Sequence, residues 1–574
     1  MRIRKYPSMR ITIRKALILS VLLMILTFPA LSQTVNLNTP FLRDYLRRQQ
    51  LIGNFNSDYS MTIFPLTPEV SDLDLDDPKK NGWYQELYGQ ERALTFDEGK
   101  GSIKMLPEII KGQYNSNYAF GINDGAMIPN TGLQTLISAG VYLKYGRWSL
   151  QFQPELVTAQ NLPFQGFPEE HWGSTWEQYY EWLNTADIVE RYGHYAYVEY
   201  LLGQSHIKYN YKNLAIGISS ENIWWGPGKR NSLLMSNNAP GFLHATLETT
   251  KPFETNIGRF EGQLIAGKLN NSGYLPPGSD YRFRQTPLYV PKPDEDDRYL
   301  AGITLNYQPK WLPGLTLGYS SVSQMYWRDM DSFDDFLPIF NGGKRPADVV
   351  DLDAMQRNQL SAGYFRWASP GKLFEFYGEY GTNGNSKTFR EMFMYPDLNR
   401  AFTLGFTKYI QLKDPDTYLG VQFETTQTGQ SVRENILAKK SWYTHPYVRH
   451  GYTNNGQVMG AGNGPGSNVI FAEVSWNRNF TKLGFQFERI VYNNDFYYKR
   501  FEVIKDWRRK YVDLVPSLVA DWQVYRFLVS AKVQYVNTLN YKWYLENSDD
   551  GTYWVPGLDK NTFVGHLSLM YLLK

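Results

Sequence analysis

The sequence contains no cysteine. That excludes disulfides, thiolate chemistry and Cys-based metal sites, and it is compatible with an oxidising envelope compartment. Beyond its first thirty or so residues no stretch is apolar enough for a transmembrane helix, which needs roughly 20 such residues. Charge is sparse and balanced: 20% of residues are charged and the formal net charge is +3, too near neutral to suggest a nucleic-acid partner. No Ser/Gly linker, charge block or composition break divides the 574 residues. A soluble chain of this length would suggest roughly three or four domains, so one large architecture is the more economical reading. Local catalytic motifs are missing too. There is no G-x-S-x-G nucleophile elbow, and Gly226-Pro-Gly-Lys229 lacks the spacing of a phosphate loop.

Aromatic residues, by contrast, are plentiful: 16% of the chain, with 43 Tyr. Tyr and Trp suit boundaries between water and an apolar phase, because each joins an apolar ring to a polar handle. The N-terminus carries Arg2, Arg4, Lys5, Arg10, Arg14 and Lys15, then the apolar Ala16–Phe28 and the small residues of Ala30-Leu31-Ser32. This reads as a signal peptide over 1–32, cleaved before Gln33. An exported chain with mean hydropathy −0.45 is then either soluble or a barrel whose lipid face is hidden by alternation.

Residues 33–100 read as a small N-terminal helical and irregular region on the periplasmic side. Its helix starts at Thr39-Pro40 and stops at Gly53, with Leu42, Tyr45 and Leu46 on one face and Arg43, Arg47 and Arg48 on the other. From 101 to 574 the period changes to two. Val141, Leu143 and Tyr145 alternate with Tyr142 and Lys144; after Gly146-Arg147 come Trp148, Leu150 and Phe152. The device recurs around turns at Lys212-Asn213, Pro309–Gly314, Pro370-Gly371, Lys413–Asp416, Phe480–Lys482 and Tyr525-Arg526. Apolar-out, polar-in segments of about ten residues mark a transmembrane β-barrel. Short turns alternate with long segments at 160–203, 223–241, 270–298, 320–355, 382–399, 428–467, 493–510 and 539–560, as in outer-membrane barrels with short periplasmic turns and long extracellular loops. Counting this way predicts an all-β membrane protein, an antiparallel barrel of about 18 strands. The amphipathic 561–574 closes it and removes the sheet edges. A soluble propeller or sandwich also alternates, but it does not explain the short/long rhythm.

Chemistry concentrates in the long segments. Glu221–Phe242 holds Trp224, Trp225, Lys229, Arg230, Asn231, Asn237 and Asn238, and reads as a loop crowning the barrel. An indole face stacks on a pyranose ring, cations donate to carboxylates or phosphates, and amides bond hydroxyls in both directions. Packing of an inward-folded loop by the two tryptophans is the competing reading. A second cluster, Trp442–Asn468, sets His445, Arg449 and His450 among aromatics; its spacing matches no HExxH-type metal site. A third, Lys499–Lys510, contains Trp507 and Arg508, and a solvated loop touching lipopolysaccharide phosphates explains its basic residues as well. Asp329, Asp331, Asp334 and Asp335 lack the Gly and Glu of an EF-hand and read as a solvated acidic loop. Trp176, Tyr179, Tyr180 and Leu183 recur at helical spacing after Ser174-Thr175, a helix within a loop whose aromatic stripe reads as packing.

The stretch IWWGPGKRNSLLMSNNAPGF, followed by Glu254-Thr255 and GRFEGQLIAGKL, resembles the Wzi-type capsule assembly proteins, and HGYTNNGQVMGAGNGPGSN at 450–468 resembles a second block of that family. The resemblance implies an eighteen-stranded outer-membrane barrel with a helical region toward the periplasm. It also implies a lectin-like, non-enzymatic role in holding exported capsular or exopolysaccharide at the cell surface. The expected partners are that acidic or neutral polysaccharide, outer-membrane lipid and lipopolysaccharide, and the barrel-assembly machinery, with no cofactor. Trp224, Trp225, Lys229, Arg230, Asn237, Asn238, Arg449, His450, Trp507 and Arg508 are the expected glycan contacts. A porin-like diffusion channel and an outer-membrane hydrolase are the alternatives.

Overall fold

The structure, a computed structural model, describes residues 37–67, 93–293, 297–331, 356–384, 399–431, 441–546 and 557–573, together with Val35, Trp83, Tyr84, Leu87, Asp335, Phe336 and Met394. The expected signal peptide, its cleavage point and Asp334 lie outside the described residues.

The strands form a closed antiparallel barrel of 18 strands. The first, Gly101–Phe120, pairs with the last, Lys560–Tyr571, so that Val564 faces Asn115 and Tyr571 faces Glu108. Two strands are bent: Trp148–Phe152 continues as Glu155–Ala159, and Tyr197–Leu201 as His206–Tyr211. Closure of the first strand on the last pairs the membrane-spanning ladders on both sides, as lipid requires. Tight turns at 146–147, 212–213 and 525–526 mark one end, and the long segments stand at the other. The strand alternation and the rhythm of turns are those the sequence predicts.

Each strand sorts its side chains by period two. On Asn468–Arg478, Val469, Phe471, Glu473, Ser475 and Asn477 are buried, while Ile470, Val474 and Trp476 face outward. Leu518, at the middle of Val512–Val524, is 65% exposed on the outer wall. No helix among the described residues is long and apolar enough to cross a membrane; the strands do so.

Helix α1, Pro40–Ile52, sits inside the short-turn end of this barrel. Pro occupies its first turn, and Gly53 ends it in the left-handed conformation (φ 96°), donating its N–H to the Gln49 carbonyl at 3.0 Å. Thr39 flanks the start without a side-chain cap. Both faces are buried. Tyr45 packs on Trp83 and Phe480, while Arg47 bonds Glu375 at 3.0 Å and Arg48 bonds Asn477 at 2.8 Å. A helix too small for its own core borrows the barrel's.

The outer wall makes a direct prediction. Leu518→Arg should lower folding stability in vesicles by about 2–4 kcal/mol, the effect of a cation near the bilayer midplane, read from denaturant titration. No measurable change would place Leu518 away from lipid.

Candidate functional site

Glu221–Phe242 does not crown the barrel, contrary to the reading of its sequence. It turns inward, crosses the lumen and meets α1 near the short-turn end. Trp224-Trp225 pairs with Ile63–Phe64 as a two-stranded ribbon. Trp225 is 0% exposed and donates its indole N–H to Gln263 at 2.7 Å. The Arg43 guanidinium lies 3.7 Å over the Trp224 ring. The following GPGKRN chain is held by carboxylates of the barrel wall. Glu424 accepts the backbone N–H groups of Lys229 (2.7 Å), Arg230 (3.0 Å) and Asn231 (2.7 Å). Glu488 receives Arg230 in a two-pronged contact at 2.9 and 3.1 Å. Gly228 is required by close approach, because a Cβ there would lie 1.8 Å from the Asn231 carbonyl oxygen. The physical reason for the inward course is complementarity: buried carboxylates need partners, and a basic segment with free backbone N–H groups supplies them.

Asp44 of α1 gathers a second knot, with Lys229 at 2.8 Å, Lys482 at 3.0 Å and Arg48 at 3.7 Å. Burial would raise this carboxyl, but the surrounding cations hold it well below the usual range. Burial opposes the charge on Lys229 too, yet Asp44 leads the neighbours that raise it. Burial and the neighbouring Arg47 pull Arg43 down to about 10, which leaves it charged at neutral pH.

Above the knot a second long segment folds in. Tyr443 donates its hydroxyl to Leu233 O at 2.7 Å, and Asn238 donates to Val458 O at 2.8 Å. Arg298 donates to the carbonyls of Gly451 (3.2 Å), Thr453 (2.9 Å) and Asn270 (2.7 Å). Over this plug, at the long-loop end, lies a cavity of about 230 Å³. Its wall is aromatic: Tyr118, Tyr179, Trp182, Tyr492, Tyr511, Tyr541 and Trp543. Tyr492 stacks on Tyr511 at 4.4 Å, and Tyr511 meets Trp543 edge-on at 5.3 Å. Polar groups interrupt the rings: Asn238, Asn463, Asn493, and the Lys542–Glu190 pair at 2.8 Å. Asn463 is 4% exposed, and neither its amide nitrogen nor its amide oxygen has a hydrogen-bond partner in the protein. The indole N–H groups of Trp182 and Trp543 are likewise unpartnered. Aromatic rings lined up with residues that carry buried, unpaired donors and acceptors form a site suited to a polyhydroxylated ligand.

The profile of the family described as "Capsule assembly protein Wzi" matches residues 130–536. The chain belongs to the Wzi capsule assembly family. Among solved structures it is similar to Wzi of Escherichia coli, titled an outer-membrane protein involved in group 1 capsule assembly and a carbohydrate-binding β-barrel. Identity is 13% and the TM-score 0.54, over 95% of this chain and 99% of that one. That likeness shows the fold. OccAB4 of Acinetobacter baumannii (10% identity, TM-score 0.37, 82% of this chain and 97% of that one) and OccAB2 of the same organism (10%, 0.39, 81% and 97%) are more distant. No curated protein sequence matches the chain.

The two blocks that carry the Wzi resemblance therefore meet inside the lumen, through Ser236–Gly460 and Asn238–Val458. Of the residues expected to touch glycan, Trp224, Trp225, Lys229, Arg230 and Asn237 are engaged in the plug, and Asn238 reaches the aromatic cavity. His450 is buried against the Tyr326 hydroxyl at 3.1 Å; burial first, then Arg298, pushes its imidazole down to about 2. Arg449 donates to the carbonyls of Val290 and Pro291 at the surface. Trp507 stands 52% exposed, while Arg508 and Arg509 hold Asp506. Asp335 pairs with Arg357, and Asp329 with Arg328 at 3.6 Å. The aromatic cavity was not foreseen as a unit. Its signals were the Tyr179 stripe, now on helix α2 (Gly173–Leu183), and Tyr541–Trp543 in the last loop.

The Asp44 knot has a definite pH signature. A carboxylate depressed in the fold contributes stability that is present above its unfolded value and lost as pH falls through its folded one; raised Lys229 contributes below its unfolded value and loses its part as pH rises through its folded one. Docking of α1 is thus strongest between those limits, across mildly acid to mildly basic pH. Asp44→Asn should weaken that docking by about 2–3 kcal/mol, less than a fully buried pair because Asp44 is partly exposed. Faster amide exchange over residues 40–52 at pH 7 would show it; unchanged exchange would assign the docking to apolar packing alone.

Proposed function

We propose that this chain is an outer-membrane barrel that binds exported capsular or exopolysaccharide and holds it at the cell surface without chemically changing it. The observation that carries the reading is the aromatic cavity beneath the outer loops, whose lining residues Asn463, Trp182 and Trp543 hold an amide and two indole N–H groups without partners in the protein. Sugar rings present apolar faces for Tyr and Trp and hydroxyls that both give and accept hydrogen bonds. Membership of the Wzi family supports the same conclusion, as does the printed description of the Escherichia coli barrel as carbohydrate-binding.

Two tiers of contact follow. The cavity takes one or a few sugar units, contacted by Asn238, Asn463, Tyr511 and Trp543. Trp507, Arg508 and Arg449, in the outer segments, meet the polymer as it leaves the cavity and supply charge-assisted contacts to acidic sugars. Trp224, Trp225, Lys229, Arg230, Asn237 and His450 act indirectly, by fixing the plug on which the cavity rests. A polymer that engages both tiers gains by effective concentration.

Asn463→Ala should weaken polysaccharide binding by the purified barrel about five- to tenfold, equivalent to roughly 1–1.5 kcal/mol for a lost buried hydrogen bond. Trp507→Ala should reduce polymer retention on cells with little effect on short oligosaccharides. Glycan arrays and surface-retention assays read the two separately. Parent-like binding by Asn463→Ala, in a barrel that folds normally, would remove the cavity from the account.

A further inference from the structure

The outer wall carries a groove that the glycan reading does not use. It has a volume of about 640 Å³ and runs over five strands, with Leu247, Phe260, Leu264, Leu305, Leu317 and Tyr319 along it. The wall buckles there for a local reason. His244–Thr249 ends early, Pro252 interrupts it, and pairing resumes only at Phe253–Glu254. Gly262 keeps the groove open: a Cβ at that position would come within 2.9 Å of Leu305 Cδ2.

The groove lies toward the short-turn end, which faces the periplasm in such barrels, and three turns gather at its mouth. Thr250 N–H bonds Asn213 O at 2.9 Å, Asn213 bonds Pro252 O at 3.2 Å, and Lys310 N–H bonds Ile257 O at 3.1 Å. These turns carry Lys212, Lys251 and Lys310, with both Lys212 and Lys310 exposed. The acidic Glu254 is matched by Arg259 at 3.3 Å, and Arg259 also holds Asp58 at 2.8 Å. An aromatic file, Phe260–Tyr307–Trp311, marks the water–lipid boundary beside them, with centroids 4.9 and 6.1 Å apart.

We propose that this groove binds one acyl chain of an anionic inner-leaflet phospholipid, with its phosphate headgroup held at the basic turns. An apolar trough open to the hydrocarbon phase and ending in lysines complements such a lipid along its whole length.

The test is native mass spectrometry of the full chain released from detergent after exchange with phosphatidylglycerol and phosphatidylethanolamine. The parent should retain one phospholipid, with phosphatidylglycerol preferred. Gly262→Phe should lower that retention several-fold, and Lys212→Glu with Lys310→Glu should abolish the headgroup preference. Gly565→Phe, on another part of the wall where a Cβ meets nothing within 4 Å, should retain lipid like the parent. If Gly262→Phe does not fold, Leu247→Trp fills the same trough. Equal retention by parent and groove-filled barrels would overturn the proposal, and so would equal loss in Gly565→Phe or selective retention of lipopolysaccharide.

Discussion

Carboxylates on the inner wall, reaching for the backbone of an inward-folded segment, are the contacts on which the rest of this molecule depends. A barrel this wide encloses a polar lumen, and a segment crossing it must satisfy its own N–H groups and those of the wall at once. Glu424 does so by taking up the N–H groups of Lys229, Arg230 and Asn231, while Glu488 takes the Arg230 side chain. Removing either partner alone leaves a buried polar group unpaired, which is costlier than never having built the contact. The plug joins this reciprocal polar need to an apolar cluster in which Trp225, Leu233, Leu234 and Trp442 pack against the wall.

From that constraint the layers follow. Helix α1 closes the short-turn end because Asp44 and Arg47 extend the same network to Lys229, Lys482 and Glu375. The second inward segment, Trp442–Asn468, seals the upper side through Tyr443, which bonds Leu233, and Val458, which accepts from Asn238. Above it, at the long-loop end, aromatic rings line a space among residues with unpaired polar groups. The barrel is a frame, the plug a floor, and the cavity stands on that floor.

The barrel was legible because lipid imposes a period of two on every strand. Ile470, Val474 and Trp476 announce an outer face, and tight turns such as Gly146-Arg147 announce one end. The strand number leaned on the family resemblance as well as on the turns. What could not be read was the direction of the long segments. Trp224, Lys229 and Arg230 are the same residue types whether they meet sugar outside or carboxylates inside, and the deciding partners, Asp44, Glu424 and Glu488, are distant in sequence. The aromatic cavity was hidden for a related reason: Tyr118, Tyr179, Tyr511 and Trp543 come from four separate segments.

A lumen crossed by a charge-pinned plug has an electrical consequence that an open barrel does not share. The most direct measurement is single-channel current through the purified protein in planar bilayers. The account predicts no sustained open level for the parent, and stepwise conductance once Glu424 and Glu488 are replaced together by alanine. A steady, porin-sized open level in the parent protein would contradict it.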